Sequence, residues 1–329
     1  MTNPSQSDAP TMKIAAFYHF AALPEAELEA LATKLETLGE KAGMRGLIIL
    51  AKEGINGTIS APTWADVDMY LAAAFGIIGC PLEDLIEPRR SEAHSWPFRK
   101  FKVRLRDEIV TLGKPEVQPL PPKSATHLSP EEWHRTMSEE EVIVLDTRNT
   151  YETRIGKFEG ATLPDIEEFQ DFGTYLDRSE LPKDKKILIY CTGGIRCEKA
   201  IVEMHQHGFD NVYQLDGGIL NYLAKYPREK FEGECFVFDN RVAVDQDLKP
   251  TKQFKMCPHC GQPAFSAIDC VRCDDRAFVC DDCLKESPKH TCSKNCAHHW
   301  SLSPGKKGKG QGNRWRNAEP TADSRTDGR

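Results

Sequence analysis

Residues 186–200 read KILIYCTGGIRCEKA, an apolar run that ends at a cysteine and is followed by two glycines and an arginine. The run predicts a buried strand of a parallel sheet, and the residues from Arg196 onward predict a helix. Cys191 would then lie at the carboxyl end of its strand, where such sheets bind ligands. The loop amides that would surround its sulfur are those of Thr192, Gly193, Gly194 and Ile195. These amides, the helix N-terminus and the charge of Arg196 should together lower the pKa of Cys191, which predicts a thiolate nucleophile.

Cys197 directly follows Arg196, and two roles are open for it. Its thiol could resolve an oxidised or persulfidated Cys191 by forming a disulfide, or it could be a small apolar residue of the helix. For Cys191 itself, the alternative is a buried cysteine beside an ordinary strand-to-helix turn. We predict catalytic roles for Cys191 and Arg196, and we include Cys197 as a third candidate.

Four residues separate Cys191 from Arg196, whereas cysteine phosphatases carry five between nucleophile and arginine. The tighter loop suits one extra sulfur atom on the cysteine. The segment resembles a rhodanese domain: LDTRNTYETRIGKFEGA is similar to that family's first strand and following turn, with Lys157 where a histidine is usual, and VYQLDGGILNY is similar to its last strand and Gly-Gly turn. The resemblance implies that Cys191 holds a persulfide. Cys197 departs from the family, in which Ser or Thr is usual at that position.

Alternation of strands and helices over residues 126–230 predicts an α/β domain whose parallel sheet is covered on both faces. Residues 13–113 have the order β-α-β-β-α-β, with FRKFKVRLRDEIVTL as the final strand region, and this order predicts a ferredoxin-like domain. Its basic stretch, described below, makes it the candidate RNA-contacting domain. The remaining segments are predicted as a disordered N-terminus (1–12), a Pro-rich linker (114–125), a connector (231–256), a Cys-rich zinc-binding segment (257–300) and a disordered basic tail (301–329).

Eight of the twelve cysteines form four short-spaced pairs in the C-terminal region. The predicted metal ligands are Cys257, Cys260, Cys270, Cys273, Cys280, Cys283, Cys292 and Cys296. Four pairs can build two closed sites of four thiolates each, which are typical of structural zinc, and metal binding would supply the folding energy of so small a segment. A cross-braced pairing, first with third and second with fourth, is slightly favoured over a sequential one. An iron–sulfur cluster, or replacement of a cysteine by His259, His290, His298 or His299, stays open.

The formal net charge of −7 gives no global sign of nucleic-acid binding, but one stretch is strongly basic. The candidate RNA-binding residues are Arg89, Arg90, Trp96, Arg99, Lys100, Lys102, Arg104 and Arg106. Trp96, Phe98 and Phe101 are interleaved with the basic residues, a composition typical of surfaces on which single-stranded RNA stacks. The alternative is a solvated basic face.

The chain of 329 residues has 40% apolar residues, enough for two or three globular domains. No apolar run approaches the roughly 20 residues of a membrane span, and the start lacks the pattern of a signal peptide. The clustered cysteine pairs favour metal ligation over a secreted disulfide scaffold. We therefore predict a cytoplasmic protein without membrane association. The sequence does not identify protein partners.

The whole arrangement resembles the bacterial family of tRNA uridine(34) hydroxylases, which are rhodanese-domain proteins. The resemblance rests on AKEGINGTISAP, SWPFRKFKVRLRDEIVTL, YCTGGIRCEKA and the Cys-rich end. It implies a monooxygenase-like oxidoreductase that hydroxylates C5 of the wobble uridine, with molecular oxygen as co-substrate and the tRNA anticodon loop as partner. The sequence shows no flavin or nicotinamide motif and no evident iron site of two histidines and a carboxylate.

Two other functions remain open. A plain sulfurtransferase would use the same cysteine but would leave the N-terminal domain and the basic stretch without a role. A non-catalytic RNA-binding module with a relic rhodanese fold would not need an intact Cys191 and Arg196. Loop length disfavours phosphatase activity.

Overall fold

The computed structural model describes residues 11–84, 87–120 and 124–308. Residues 1–10 of the predicted disordered N-terminus, residues 121–123 of the predicted linker and residues 309–329 of the predicted basic tail lie outside the described residues. The chain divides into two compact units, one ending at Pro250 and the other beginning at Thr251. Short 3-10 helices cover Glu25–Glu27, Leu82–Asp84, Phe169–Asp171 and Ser287–Lys289.

The first unit begins with a five-stranded sheet and two helices. Its elements are β1 (Met12–Phe20), α1 (Leu28–Lys41), β2 (Arg45–Ala51), β3 (Gly54–Ala61), α2 (Trp64–Ile78), β4 (Arg89–Ala93) and β5 (Phe101–Leu105). The strand order is β4-β1-β3-β2-β5, with antiparallel pairing except for the parallel pair β2–β5. The first four strands and two helices give the predicted β-α-β-β-α-β fold. The final strand of that fold is β4, whereas the stretch that we predicted as final forms β5 at the opposite edge.

The packing of this domain follows from its amphipathic helices. Leu31 and Leu35 of α1 are buried in one core with residues of α2 and of the sheet. The Thr63 hydroxyl accepts the Asp66 N–H (3.2 Å) and so caps α2. Phe101 is 2% exposed and packs edge-on against Tyr70, with 5.2 Å between ring centroids. Our interpretation of Phe101 as part of a stacking surface was therefore wrong, because the pleat of β5 turns its ring into the core.

The central domain is built on a four-stranded parallel sheet of order β6-β10-β9-β7. Its elements are β6 (His127–Leu128), α3 (Pro130–Glu139), β7 (Ile143–Asp146), α4 (Thr150–Thr153), β8 (Gly156–Phe158), α5 (Phe172–Arg178), β9 (Ile187–Tyr190), α6 (Ile195–Gln206), β10 (Val212–Leu215) and α7 (Gly218–Lys225). In β9, Ile187 and Ile189 join one core while Leu188 and Tyr190 join another, so both faces of the sheet are covered. The predicted parallel sheet is confirmed.

Residues that follow α7 complete the first unit. They form β11 (Phe231–Gly233), β12 (Cys235–Phe236) and β13 (Ala243–Val244), and β11 pairs with β8. Phe231, Val237 and Val244 are buried in the core that also contains Tyr190. This part of the segment that we predicted as a connector thus packs against the central domain and brings further side chains to its edge.

The second unit is small and consists mostly of hairpins. Its elements are β14 (Lys255–Met256), β15 (Pro263–Ala264), β16 (Ser266–Asp269), β17 (Arg276–Val279), α8 (Asp281–Leu284) and α9 (Lys294–Leu302). Strands β14 and β15 pair with each other, as do β16 and β17. Across the described ranges, no helix combines the length and the apolar character needed to cross a membrane.

Candidate active site and metal centres

Cys191 follows β9 directly and precedes α6, so it lies at the carboxyl edge of the parallel sheet as predicted. The residue is 1% exposed, and it lines a cleft of about 580 Å³. A volume of this size is ordinary for a small-molecule site. The thiol is thus placed where a ligand can reach it while most of its surface is covered by protein.

The environment of Cys191 favours the thiolate. Burial opposes ionisation, but a hydrogen bond from the Cys197 thiol, the charge of Arg196 and the backbone N–H groups of Arg196 and Gly194 outweigh it and lower the pKa of Cys191 to about 6. The Gly194 N–H donates to the sulfur at 3.1 Å. These contacts act in the direction that the sequence predicts, and the lowered pKa favours the thiolate at neutral pH.

The four predicted loop amides do not contribute alike. Among them, the described hydrogen bond to sulfur is that of Gly194; Thr192, Gly193 and Ile195 line the cleft beside it. Gly194 has φ +100°, a conformation that L side chains rarely adopt. The glycine therefore allows the turn that aims its N–H at the sulfur.

The predicted Gly-Gly turn supports this loop from the other side. The N–H groups at the start of α7 donate to the loop, from Ile219 to the Cys191 carbonyl (2.9 Å) and from Leu220 to the Thr192 carbonyl (3.1 Å). A Cβ on Gly218 would lie 2.4 Å from the Cys191 carbonyl oxygen, so a side chain there would separate the two segments. The loop after Cys191 and the Gly-Gly turn before α7 therefore pack directly against each other.

Arg196 is buried and held by a partner that the sequence analysis missed. Its guanidinium donates two hydrogen bonds to Glu152 of α4, at 2.6 and 2.8 Å, and Glu152 is fully buried. Glu152 also accepts the Asn149 N–H (3.2 Å) and the Thr192 hydroxyl (3.3 Å). The pattern Asn-x-x-Glu at residues 149–152 is a capping-box signal that could have indicated an inward-facing glutamate. The pair fixes the positive charge of Arg196 beside the sulfur.

Cys197 is fully buried next to Cys191. Burial and the hydrogen bond to Cys191 raise the pKa of Cys197 well above its usual value, so it is a neutral thiol that donates to a thiolate. The Thr147 hydroxyl lies 3.8 Å from its sulfur. The two cysteines are therefore brought together, while the predicted redox role of Cys197 stays a prediction.

Buried contacts join residues of the N-terminal domain to α6, and two of these residues, Tyr18 and Glu108, line the cleft. The Tyr18 hydroxyl donates to Glu198 at 2.9 Å, and the Lys199 ammonium lies 2.7 Å from Glu53 and 2.5 Å from Glu108. Lys199 is fully buried, and its two partners are at most 5% exposed. These partners are distant in sequence, so no local pattern could indicate them.

The predicted RNA-binding residues are scattered. Arg89 and Arg106 line the cleft, and Arg89 lies 3.5 Å from Asp216. Arg90 pairs with Asp68 (2.7 Å), and Lys102 pairs with Glu36 (2.5 Å). The Arg45 guanidinium covers the Trp96 ring at 4.4 Å. Arg99, Lys100 and Arg104 are exposed. The basic stretch is thus divided between the cleft, ion pairs on the surface and other solvent-exposed side chains.

Two further cleft residues come from the segment after β12, which the sequence analysis did not associate with the site. Phe238 is 58% exposed and lines the cleft. Arg241 also lines it, and it is held by Asp239 (2.6 and 2.9 Å) and by Ser91 (2.7 Å).

The eight predicted metal ligands meet in two groups of four. One group contains Cys257, Cys260, Cys280 and Cys283, and the other contains Cys270, Cys273, Cys292 and Cys296. The cross-braced pairing is confirmed. Sulfur–sulfur distances of 3.4 Å for Cys260–Cys280 and 3.5–3.8 Å within the second group approach the about 3.8 Å expected for four sulfurs each about 2.3 Å from zinc. The donors therefore fit a tetrahedral metal ion.

Histidines do not replace cysteines in these groups. Within the described part of the chain, each group consists of cysteines alone. The ring Nε2 of His259 lies 2.8 Å from the Thr291 carbonyl, and that of His290 lies 2.7 Å from the Leu284 carbonyl. Both rings are engaged with backbone, which leaves two closed sites of the structural type.

Models of known families match three consecutive parts of the chain. An acylphosphatase-like domain described as UPF0176 matches residues 12–109, a rhodanese-like domain matches 129–225, and a rhodanese C-terminal segment matches 232–297. Together with the Cys191 loop and the parallel sheet, these matches define a rhodanese-domain protein.

Individual relatives show to which family of rhodanese-domain proteins the chain belongs. A tRNA uridine(34) hydroxylase of Bdellovibrio bacteriovorus is 48% identical over 91% of this chain and 84% of its own length. Proteins of the same description from Synechocystis and Deinococcus radiodurans are each 40% identical, over 76% and 83% of this chain and 88% and 89% of their own lengths. The chain belongs to the tRNA uridine(34) hydroxylase family.

Proposed function

We propose that this protein hydroxylates C5 of the wobble uridine of tRNA and that Cys191 is its nucleophile. The observation that carries the proposal is the position of Cys191: its sulfur accepts the Gly194 N–H, its surroundings lower its pKa, and it lines a cleft large enough for a nucleobase. Membership of the tRNA uridine(34) hydroxylase family supplies the substrate and the reaction type. A tRNA substrate implies that the enzyme acts in the cytoplasm.

A thiolate can activate uracil by addition. Attack of the Cys191 sulfur on C6 forms an S–C6 bond and makes C5 nucleophilic. C5 then takes one oxygen atom from a peroxide-level oxidant, which releases hydroxide. Loss of the C5 proton and cleavage of the S–C6 bond restore the ring and the thiolate. With molecular oxygen as the oxidant, the second oxygen atom leaves as water, and a dithiol reductant supplies the two electrons required.

The neighbours of Cys191 suit this sequence of steps. Arg196, fixed by Glu152, and the Gly194 N–H stabilise the thiolate before attack and after its release. The Cys197 thiol can donate a hydrogen bond to the sulfur in the same two states. If the reactive species were instead a sulfenate or a persulfide of Cys191, it would lie at the same place in the cleft as the thiolate.

RNA would reach this site through an anticodon loop whose base is turned outward, because a stacked base cannot approach the sulfur. Arg89 and Arg106 at the cleft offer positive charge to the phosphates near that base. Arg99, Lys100 and Arg104 are exposed and available for more distant phosphates. We propose these five cations as the RNA contacts. Arg90 and Lys102 are assigned a smaller part, because their acidic partners lie at 2.7 and 2.5 Å, closer than the 3.5 Å between Arg89 and Asp216.

The two groups of four cysteines would hold two zinc ions with a structural role. Each group is closed by four thiolates, so neither offers an open position for a substrate. The second unit has few apolar side chains in its cores, which consist largely of the cysteines themselves. Zinc would therefore supply much of its folding free energy.

The central experiment compares variants in a strain that lacks the endogenous enzyme. Nucleosides from its tRNA are analysed by mass spectrometry after expression of the wild type, Cys191→Ser or Cys80→Ser. We expect 5-hydroxyuridine with the wild type and with Cys80→Ser, a matched cysteine outside the cleft. Restoration of 5-hydroxyuridine by Cys191→Ser would rule out the thiolate mechanism.

Two further measurements separate the remaining possibilities. Growth under ¹⁸O₂ should label the new hydroxyl, whereas label from H₂¹⁸O would exclude molecular oxygen as its source. A thiosulfate–cyanide assay on the purified protein tests the sulfurtransferase alternative. Robust sulfur transfer without 5-hydroxyuridine in the complemented strain would favour that alternative.

A further inference from the structure

Phe238 presents an exposed aromatic ring to the cleft that contains Cys191. We propose that this ring is the platform on which the uracil base of the substrate stacks. The proposal rests on the proposed function, because it takes RNA as the ligand. It names a binding residue that lies far in sequence from the basic stretch.

The exposure of Phe238 sets it apart from the other aromatic residues of the cleft. Its side chain is 58% exposed, whereas Phe17, Tyr18 and Phe169 are each at most 7% exposed. Phe98 is half-buried. Phe238 lines the cleft while more than half of its surface stays exposed, so a ligand that enters the cleft can cover the ring. Phe238 is therefore the aromatic side chain of this cleft with the most surface to offer.

The ring is also held in place, as a stacking platform requires. Phe238 packs perpendicular to Phe236, with 5.0 Å between the ring centroids, and Phe236 in turn packs against Tyr151 at 5.3 Å. The Arg196 guanidinium carbon lies 5.7 Å from the centroid of Phe238. Because the charge of Arg196 also favours the Cys191 thiolate, the platform and the nucleophile are connected through a single residue.

The surroundings favour a nucleobase over a purely apolar ligand. Arg89, Arg106 and Arg241 line the same cleft as Phe238, and Arg106 adds a positive charge there, while Arg89 and Arg241 each have an acidic neighbour. Single-stranded RNA binds to this combination, because its bases stack on aromatic rings while its phosphates pair with cations. Stacking would cover one face of the pyrimidine and leave the other face free for the Cys191 sulfur, which adds to C6 perpendicular to the plane of the ring.

A purely structural role for Phe238 makes a different prediction. If the ring served only to cover the pair Arg196–Glu152, its loss would expose that pair and change the reactivity of Cys191 without any RNA. A stacking platform, in contrast, affects only the complex with a base. Alkylation of Cys191 by iodoacetamide in the absence of RNA separates the two roles.

The test measures binding of two anticodon stem-loop RNAs to the full chain by fluorescence anisotropy. One RNA has uridine at position 34 and the other has an abasic nucleotide there. We expect the wild type to prefer the uridine hairpin by about 5- to 140-fold, the range for stacking of one base. Phe238→Ala and Phe238→Leu should bind both hairpins equally, and Phe238→Trp should keep the preference.

The matched control is Phe265→Ala, which removes a phenylalanine that is 60% exposed in the second unit. It should leave the preference for uridine unchanged. The proposal is overturned if Phe238→Ala keeps the preference, if the wild type has none, or if Phe238→Ala changes Cys191 alkylation without RNA. If the complemented strain contains no 5-hydroxyuridine while the wild type still prefers the uridine hairpin, the proposed function is refuted and the stacking proposal is not.

Discussion

Glu152 holds the guanidinium of Arg196 through two parallel hydrogen bonds of 2.6 and 2.8 Å, and both side chains are at most 7% exposed. Removal of one partner leaves a buried charge without its counterion. The position of Arg196, and with it the start of α6, therefore depends on a residue 44 positions earlier in the chain.

We expect Glu152→Gln to reduce the free energy of unfolding by about 3–5 kcal/mol, because one charge of a buried pair is left uncompensated. Urea denaturation followed by circular dichroism measures the change. The control is Glu131→Gln, which removes the partner of Lys225 in an exposed pair and should have no measurable effect. Equal stability of Glu152→Gln and wild type would mean that the Arg196–Glu152 pair does not stabilise the fold.

The pH dependence of Cys191 alkylation tests the thiolate directly. Since the thiolate is the reactive form and the pKa is about 6, the rate should rise as the pH increases through 6 and level off above it. Mass spectrometry of the Cys191 peptide after iodoacetamide treatment gives the rate. A profile that continues to rise above pH 8 would show that the loop does not stabilise the anion.

Cys197 contributes to that stabilisation through its hydrogen bond. We expect Cys197→Ala to raise the pKa of Cys191 and to slow its alkylation at pH 6 about fivefold or more, as for loss of a hydrogen bond to a charged group. Cys197→Ser keeps a donor and should retain most of the rate. If the alanine and serine variants shift the profile equally, the thiol acts through packing and not as a donor.

Lys199 lies between Glu53 and Glu108 and connects α6 to the N-terminal domain. Lys199→Met leaves two buried carboxylates without a cation and should destabilise the first unit by about 3–5 kcal/mol. Glu53→Gln leaves a one-to-one pair of Lys199 and Glu108 and should cost less. The two variants are compared by urea denaturation, and a larger loss for Glu53→Gln would contradict this account.

Zinc content follows from the cross-braced grouping. We expect about two zinc ions per chain by mass spectrometric metal analysis, and about one in either Cys260→Ser or Cys273→Ser, because each removes a thiolate from a different group. Chelation should make the second unit sensitive to proteolysis while the first unit, which has its own apolar cores, stays resistant. Cys80→Ser, outside both groups, should retain both ions. Loss of both ions in each single variant would show that the two sites fold only together.

The comparison of sequence with structure shows which features local patterns can reveal. The strand, loop and helix around Cys191 were predictable, because the anion-binding amides and the nucleophile lie within seven consecutive residues. The four cysteine pairs were predictable for the same reason, since short spacing alone indicates ligation. The basic stretch only partly indicated which residues are accessible to RNA. The strand β5 turns Phe101 into the core and leaves Arg104 exposed, and amino-acid composition does not predict this difference in burial.

The sequence alone thus determined the class of chemistry: a loop-bound thiolate, two thiolate metal sites and a parallel sheet that carries the loop. Tertiary structure decided which residues complete the site. The residues that complete it contact partners that lie 42 to 180 positions away in the sequence, or they lie in segments with no motif. They are Glu152, Tyr18, Lys199 and Phe238. Their contacts depend on how the sheets and helices pack, because burial and long-range pairing are properties of the folded chain and leave no periodic or spacing signal in the sequence.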